Sequence, residues 1–163
     1  MTQVVEDPLE AGREALRRRD WMEGYELLQS ADESAELGPE DVMLLAEAAM
    51  WTGHMDAVGP YFERAYRGYL QVGETLRAAF VATWVAHNQR NNLQSSLANG
   101  WMSRAKRLLD LEDEGAEHGY WALQKSLDEL NAGNFGEALQ LARKAEELGR
   151  RFGDRNLEIR GLQ

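Results

Sequence analysis

Polar turns and apolar stretches alternate along the chain in a regular order. Residues that favour helices (Ala, Leu, Glu and Arg) recur throughout, and the alternation of Val, Ile and Thr that is typical of strands is nearly absent. Pro8, Pro39 and Pro60 each lie near the start of an apolar stretch, where a helix tolerates proline. The pattern predicts an all-α chain with helices near 8–19, 22–35, 40–52, 56–72, 74–91, 95–111, 116–132 and 135–152, and a ninth that begins near 154.

Several of these predicted boundaries carry chemical markers. Gly53 and Gly73 follow the third and fourth helices, and glycine is the usual residue just beyond a helix C-terminus. Asp154 precedes the last predicted helix, where a carboxylate accepts from unpaired backbone N–H groups. We therefore expect helix ends at these three positions.

One pattern occurs four times: a polar turn, a large apolar residue, a small residue, and an apolar stretch that ends on alanine. The closing alanines are spaced by 34, 40 and 40 residues, and they are Ala31, Ala65, Ala105 and Ala145. The small residues seven positions earlier keep the same intervals, and they are Gly24, Val58, Ala98 and Ala138. A period of 34 residues is that of the tetratricopeptide repeat, and longer helices or turns account for the other two intervals.

Small side chains allow the two antiparallel helices of a repeat to cross closely. The predicted crossings place Ala46 against Val58 and Ser126 against Ala138. The predicted gap-filling side chains are Trp21, Phe62, Trp101 and Phe135. Since a single pair cannot bury its apolar face, neighbouring pairs must stack. The sequence thus predicts a tetratricopeptide-like α-solenoid of four helix pairs and the start of a fifth, with units of about 5–38, 39–73, 74–113, 114–153 and a partial 154–163.

The charge and composition of the chain exclude several classes of function. A net charge of −10 opposes binding to a phosphate backbone, and the basic runs 17–19 and 104–107 lie toward helix ends, where cations complement the helix dipole. The chain has no cysteine, so disulfides and thiolate metal sites are excluded. No secretory signal and no apolar run long enough to span a bilayer is visible, which predicts a cytoplasmic protein without membrane contact.

Motifs of catalysis are missing from the sequence. It contains no Gly-rich phosphate loop, no His-Glu-x-x-His and no Gly-x-Ser-x-Gly. Glu114 and His118 are four residues apart, a spacing that favours a surface charge pair over a metal site. The acidic run 112–114 lacks the alternating ligands of a calcium loop. The sequence therefore predicts a non-catalytic chain with no cofactor and no metal.

Five blocks of the sequence carry a family resemblance. They are LEAGREAL at 9–16 followed by Asp20 and Trp21, ERAY at 63–66, ANGWMSRA at 98–105, EHGYW at 117–121 and LGRRFGD at 148–154. In this order they resemble a tetratricopeptide segment of actinobacterial and chloroflexal regulators, which precedes a C-terminal helix-turn-helix of the LuxR type. Similar arrays occur in multidomain ATPase regulators and in proteins linked to nucleotide cyclases. The chain departs from the pattern at Val58, where alanine is usual, and in the polar run 88–92.

The resemblance also implies a binding groove, because the first helix of each tetratricopeptide unit lines the concave surface. The implied groove positions are Arg13, Leu16, Arg17, Glu40, Met43, Glu47, Met50, Trp51, Phe80, Thr83, His87, Arg90, Asn91, Tyr120, Leu123, Leu127, Leu130 and Asn131. From these we predict the ligand-binding residues Trp51, Phe80, Thr83, His87, Arg90, Asn91 and Tyr120. The spacing of residues 83, 87, 90 and 91 places them on one helix face, with a cation to meet a carboxylate or an acidic peptide.

Two alternatives to this site stay open at the level of sequence. The polar residues at the end of the fifth helix also fit a solvated, capped helix end. Trp51, together with Met43 and Met50, also fits packing between helices rather than an aromatic cage.

The resemblance implies a regulatory, non-catalytic domain of a LuxR-type transcription regulator that binds a protein, a peptide or a small effector. Direct contact with nucleic acid is not expected from this segment. The alternatives are a standalone scaffold or adaptor for protein–protein interaction, or a regulatory segment of a nucleotide cyclase or ATPase.

The C-terminal residues suggest an array cut inside the first helix of a fifth unit. Leu157, Ile159 and Leu162 occur within barely two helical turns of the end, where a complete solenoid has a polar cap. We therefore expect a fragment of a longer protein, which forms homo-oligomers because the apolar side of this helix, with Leu157 and Leu162, needs cover.

Overall fold

The computed structural model describes residues 7–161, and within them the chain forms nine helices and no strand. The helices are α1 (Pro8–Arg17), α2 (Trp21–Ser34), α3 (Pro39–Thr52), α4 (Met55–Gln71), α5 (Thr75–Asn91), α6 (Ser95–Leu109), α7 (Ala116–Asn131), α8 (Phe135–Phe152) and α9 (Arg155–Gly161). Every predicted boundary lies within two residues of an observed one. The all-α prediction is confirmed.

The three marked helix ends are formed as expected. Gly53 has φ of +81° and Gly73 has φ of +76°, a left-handed conformation that a side chain disfavours. The Asp154 Oδ1 atom accepts a hydrogen bond of 3.0 Å from the Leu157 N–H group and so caps α9. These local interactions explain why the helices stop and start where the sequence predicts.

Residue contacts divide the chain into two compact units at Gly68 and Tyr69, within α4. In the first unit α1 packs on α2, α2 packs on α3, and α1 also contacts α3. Its fully buried core is aliphatic and includes Leu28, Leu45, Ala46 and Val58. Gly24, the first of the recurring small residues, lies close to α1, since a Cβ atom there would be 2.3 Å from the Leu16 Cδ2 atom.

In the second unit α5 packs on α6, α7 packs on α8, and α8 packs on α9. The alternate helices α5 and α7 are also in contact, as are α7 and α9. One core cluster joins the last three helices and comprises Ala122, Leu123, Ala145, Leu148 and Leu157. Leu157 is the residue of the seven-residue α9 in this cluster, and it packs that helix against α7 and α8.

Two expectations about apolar residues are wrong. Phe135 does not fill a gap: it is 68% exposed, because it is the first residue of α8 and its side chain meets solvent. Leu157 does not need a second copy to cover it, because it is fully buried against α7 and α8. Ile159 is 45% exposed, and Leu162 lies outside the described residues.

No helix within residues 7–161 combines the length and the apolar character that crossing a membrane requires.

Candidate functional site

Six of the seven predicted ligand-binding residues belong to the second unit. Phe80, Thr83, His87, Arg90 and Asn91 lie on α5, and Tyr120 lies on α7, which packs against it. The seventh, Trp51, lies in the last turn of α3 in the first unit. We call the surface formed by α5 and α7, with His87, Asn91, Gln124 and Asp128 at its centre, the α5–α7 face.

His87 is the centre of a polar network on the α5–α7 face. Its Nδ1 atom lies 3.0 Å from the amide nitrogen of Gln124, and its Nε2 atom lies 3.2 Å from the amide nitrogen of Asn91. Burial lowers the pKa of His87, and the charges of Arg160 and Arg90 lower it further. The imidazole is therefore neutral at pH 7, and it serves as a polar rather than a cationic group.

Arg90 is bound to a carboxylate of the neighbouring helix. Its Nη2 atom donates a 2.7 Å hydrogen bond to the Asp128 Oδ2 atom, and the two side chains are only 20% and 18% exposed. Burial raises the pKa of Asp128, against the opposing charges of Arg90 and Lys125. The Nη1 atom of Arg90 is buried and has no hydrogen-bond partner among the described residues. The cation expected at this position is therefore already paired with a carboxylate, and its Nη1 group is left without a partner among the described residues.

Thr83 does not take part in the exposed surface, contrary to the prediction. Its side chain is buried, and its Oγ1 atom donates a 3.0 Å hydrogen bond to the Ala79 carbonyl of its own helix. A hydroxyl bonded back to its helix in this way leaves no donor for a ligand. Thr83 and His87 are four residues apart and lie on the same side of α5, but Thr83 is buried there and His87 is only half-buried.

Phe80 and Tyr120 join α5 to α7. Their rings meet edge to face with centroids 5.0 Å apart, and Phe80 also contacts Trp84, whose ring centroid is 5.7 Å from that of His87. The Tyr120 hydroxyl donates to the Asp154 Oδ1 atom at 3.2 Å, and burial raises the pKa of Tyr120 to about 12. These rings support the polar network rather than present themselves to solvent.

Sequence reasoning missed Gln124 and Asp128, which complete the network from α7. Together with Tyr120 they recur every fourth residue, so they share one face of their helix. That spacing was available in the sequence as a signal. Their partners on α5 are 37 and 38 residues away, a distance over which the helical period gives no information.

Beside this network α7 presents apolar surface. Leu127 is 39% exposed and Leu130 is 48% exposed, and both are groove positions that the resemblance implies. They lie on the same helix as Gln124 and Asp128: Leu127 precedes Asp128 by one residue, and Leu130 follows it by two. The α5–α7 face therefore combines buried polar groups with an exposed apolar edge.

The first unit brings a second group of implied groove positions to one pocket of about 330 Å³, lined by Arg13, Leu16, Arg17, Trp21, Leu44 and Glu47. Trp51 stacks on Trp21 with ring centroids 5.5 Å apart and stays 65% exposed. Arg13 binds the buried carboxylate of Asp41 through its Nε and Nη2 atoms, at 2.8 and 2.9 Å. This arginine therefore stabilises the contact between α1 and α3.

Glu114 and His118 bind other groups rather than each other among the described residues, unlike the surface charge pair that their spacing predicts. Glu114 binds Lys144 and Arg151, each at 3.1 Å. The His118 Nδ1 atom accepts from the Gly115 N–H group, and its Nε2 atom lies 3.1 Å from the Leu109 carbonyl oxygen. In the part of the chain that the structure describes, no three His, Asp or Glu side chains are grouped so as to hold a metal ion.

No model of a known protein family matches the chain, and no curated protein matches it.

Proposed function

We propose that the chain is a non-catalytic binding domain and that the α5–α7 face holds an extended peptide segment. The observation that carries the proposal is the group of hydrogen-bonding side chains at its centre, with exposed apolar surface beside it. Asn91 is exposed, and its amide nitrogen lies 3.2 Å from the His87 Nε2 atom. An amide can both donate to a peptide carbonyl and accept from a peptide N–H group.

The remaining groups of the face suit the backbone of a peptide better than a strongly charged ligand. Asn91 and Gln124 carry amides, which both donate and accept, as does a neutral imidazole at His87. The charge of Arg90 is opposed by Asp128. Leu127 and Leu130 offer apolar surface to one or two side chains of the peptide.

We further propose that the helix pairs are stacked as in tetratricopeptide arrays. The 34-residue interval between Ala31 and Ala65 supports this. The contact of alternate helices (α1 with α3, α5 with α7, α7 with α9) also supports it, because stacked helix pairs bring their first helices side by side. Such an array would place the α5–α7 face on its concave side.

The block-by-block resemblance supports the regulatory segment of a LuxR-type transcription regulator as the parent protein. On this proposal, occupancy of the α5–α7 face changes the state of a DNA-binding domain outside residues 1–163. The reading frame that follows residue 163 tests it: a helix-turn-helix supports the proposal. A cyclase or ATPase domain, or a stop codon close by, favours the alternative regulators or a standalone adaptor.

Peptide binding is tested with a phage-displayed library of random dodecapeptides selected on the purified chain. A selected peptide is then labelled and titrated by fluorescence polarisation. We expect Leu130→Ser to weaken its binding about tenfold, the equivalent of about 1.4 kcal/mol of apolar contact. Asn91→Ala should also weaken it, because the amide beside His87 is lost.

The controls are matched substitutions on α8. Leu139→Ser changes a leucine that is 52% exposed, close to the 48% of Leu130, and Gln140→Ala removes an exposed amide. Neither should affect the affinity. Failure to select any peptide above background, or an equal loss of affinity with the α8 substitutions, would contradict the proposal.

A further inference from the structure

A second pocket, of about 420 Å³, opens between α6 and α7. We call it the α6–α7 pocket, and it is lined by Asn99, Met102, Ser103, Lys106, Arg107, Trp121, Lys125 and Asp128. The residues from α6 occur at spacings of three and four, as do those from α7, so each helix contributes one face. Its volume lies within the range of about 300–1,000 Å³ that is typical of small-molecule sites.

The lining of the pocket is positive in a chain whose net charge is −10. Three cations face one carboxylate, and that carboxylate, Asp128, already binds Arg90. Lys106 pairs with Asp110, and Lys125 pairs with Glu129. Each lysine ammonium has three N–H donors, and its single carboxylate partner leaves some of them free for a ligand. Arg107 is exposed and forms no ion pair with another described residue, so its guanidinium can bind a ligand.

One wall of the pocket is a fixed indole ring. The Trp121 Nε1–H group donates a 3.1 Å hydrogen bond to the Met102 carbonyl, which holds the ring in place across α6 and α7. The Lys106 ammonium lies 5.9 Å from the centre of that ring. An aromatic face with a cation over it, 5.9 Å from the ring centre, suits a ligand that has a planar ring and an anionic group.

We propose that the α6–α7 pocket binds a small organic phosphate of mononucleotide size. The phosphate contacts Arg107 and the free donors of Lys106 and Lys125, and the planar part of the ligand lies on Trp121. The exposed amide of Asn99 is placed to contact the polar edge of the ring. A guanidinium binds two phosphate oxygens at once, and a phosphate has a third oxygen for the lysine ammonium groups, which favours phosphate over a single carboxylate.

This site shares Asp128 with the α5–α7 face, but its experiment does not depend on peptide binding. The purified chain is titrated with adenosine monophosphate, adenosine and inorganic phosphate by isothermal titration calorimetry. We expect the monophosphate to bind at least tenfold more tightly than either of its parts, and to lose affinity as salt is added. The NMR signal of the Trp121 indole N–H should shift on addition of the monophosphate.

Substitutions then locate the binding. Arg107→Gln should weaken the monophosphate about tenfold, whereas Arg143→Gln, an equal charge change on the exposed side of α8, should not. Asn99→Asp places a negative charge at the pocket and should weaken it too, in contrast to Gln140→Glu. All four positions are exposed, so the fold should be retained.

Two results would overturn the proposal. One is an affinity for the monophosphate no greater than that for adenosine or phosphate alone. The other is a monophosphate that binds but responds equally to Arg107→Gln and Arg143→Gln, which would place it elsewhere on the chain.

Discussion

The backbones of α8 and α9 touch at Gly149, and this contact makes a sharp prediction about stability. A Cβ atom on Gly149 would lie 2.4 Å from the Glu158 nitrogen, 2.8 Å from the Glu158 Cα and 3.0 Å from the Asp154 carbonyl oxygen. These are backbone atoms, which cannot turn aside as a flexible side chain can. Gly149→Ala must therefore push α9 away from α8.

The size of the effect follows from what α9 would lose. Overpacking a tight contact costs about 1–3 kcal/mol. If α9 separates altogether, the largest loss is the burial of Leu157, which is worth about 1.5–3 kcal/mol. The better helix propensity of alanine offsets up to about 1 kcal/mol of this destabilisation. We expect a net destabilisation of about 1–2 kcal/mol, concentrated in α9.

Hydrogen exchange measured by mass spectrometry reports the local opening of α9, and urea unfolding followed by circular dichroism reports the stability of the whole chain. Gly149→Ala should speed exchange in residues 155–161 about tenfold, since each 1.4 kcal/mol of opening free energy is a factor of ten. Gly100→Ala is the matched control, because Gly100 lies inside α6, is exposed, and a Cβ there meets nothing within 4 Å. It should raise stability by up to about 1 kcal/mol.

If Gly149→Ala leaves exchange in α9 unchanged and unfolds at the same urea concentration as the parent chain or a higher one, the backbone contact does not limit the packing of α9. If Gly100→Ala destabilises the chain as much as Gly149→Ala, the backbone contact is not the cause of the loss.

Two further predictions concern the dependence of stability on pH. Arg64 lowers the pKa of Asp32 by hydrogen bonding to its carboxylate, so this pair stabilises the fold above the ordinary pKa near 3.8 and the benefit is lost as pH falls below it. Arg64→Met should therefore cost about 1–2 kcal/mol in urea unfolding at pH 7 and much less at pH 3; an equal cost at both would contradict this. Burial lowers the pKa of His87 below its ordinary 6.5, so the unfolded chain binds a proton more readily and stability falls as pH drops through that value. His87→Gln should reduce the loss of stability between pH 7.5 and 5, and parallel curves for the two chains would contradict the assignment.

Each helix could be predicted from the sequence because the interactions that define it are local. Asp154 caps a backbone N–H group three residues away, and Gly53 and Gly73 adopt left-handed conformations one and two residues beyond their helices. The close crossing at Gly24 was also predictable, because a small residue recurs at that point of the pattern. Within residues 7–161, the number, type and bounds of the helices were thus determined by the sequence.

The composition of the candidate sites was decided by the tertiary structure. Helical spacing placed Thr83 and His87 on one side of α5, but only the packing of α7 shows that Thr83 is buried while His87 meets Gln124. The sequence predicts a free cation at Arg90, but in the structure Asp128, 38 residues away, binds it. The sequence likewise predicts exposed apolar surface at Leu157, but α7 and α8 pack around it. Side-chain partners on different helices depend on how the helices pack, and the helical period within each one carries no information about that.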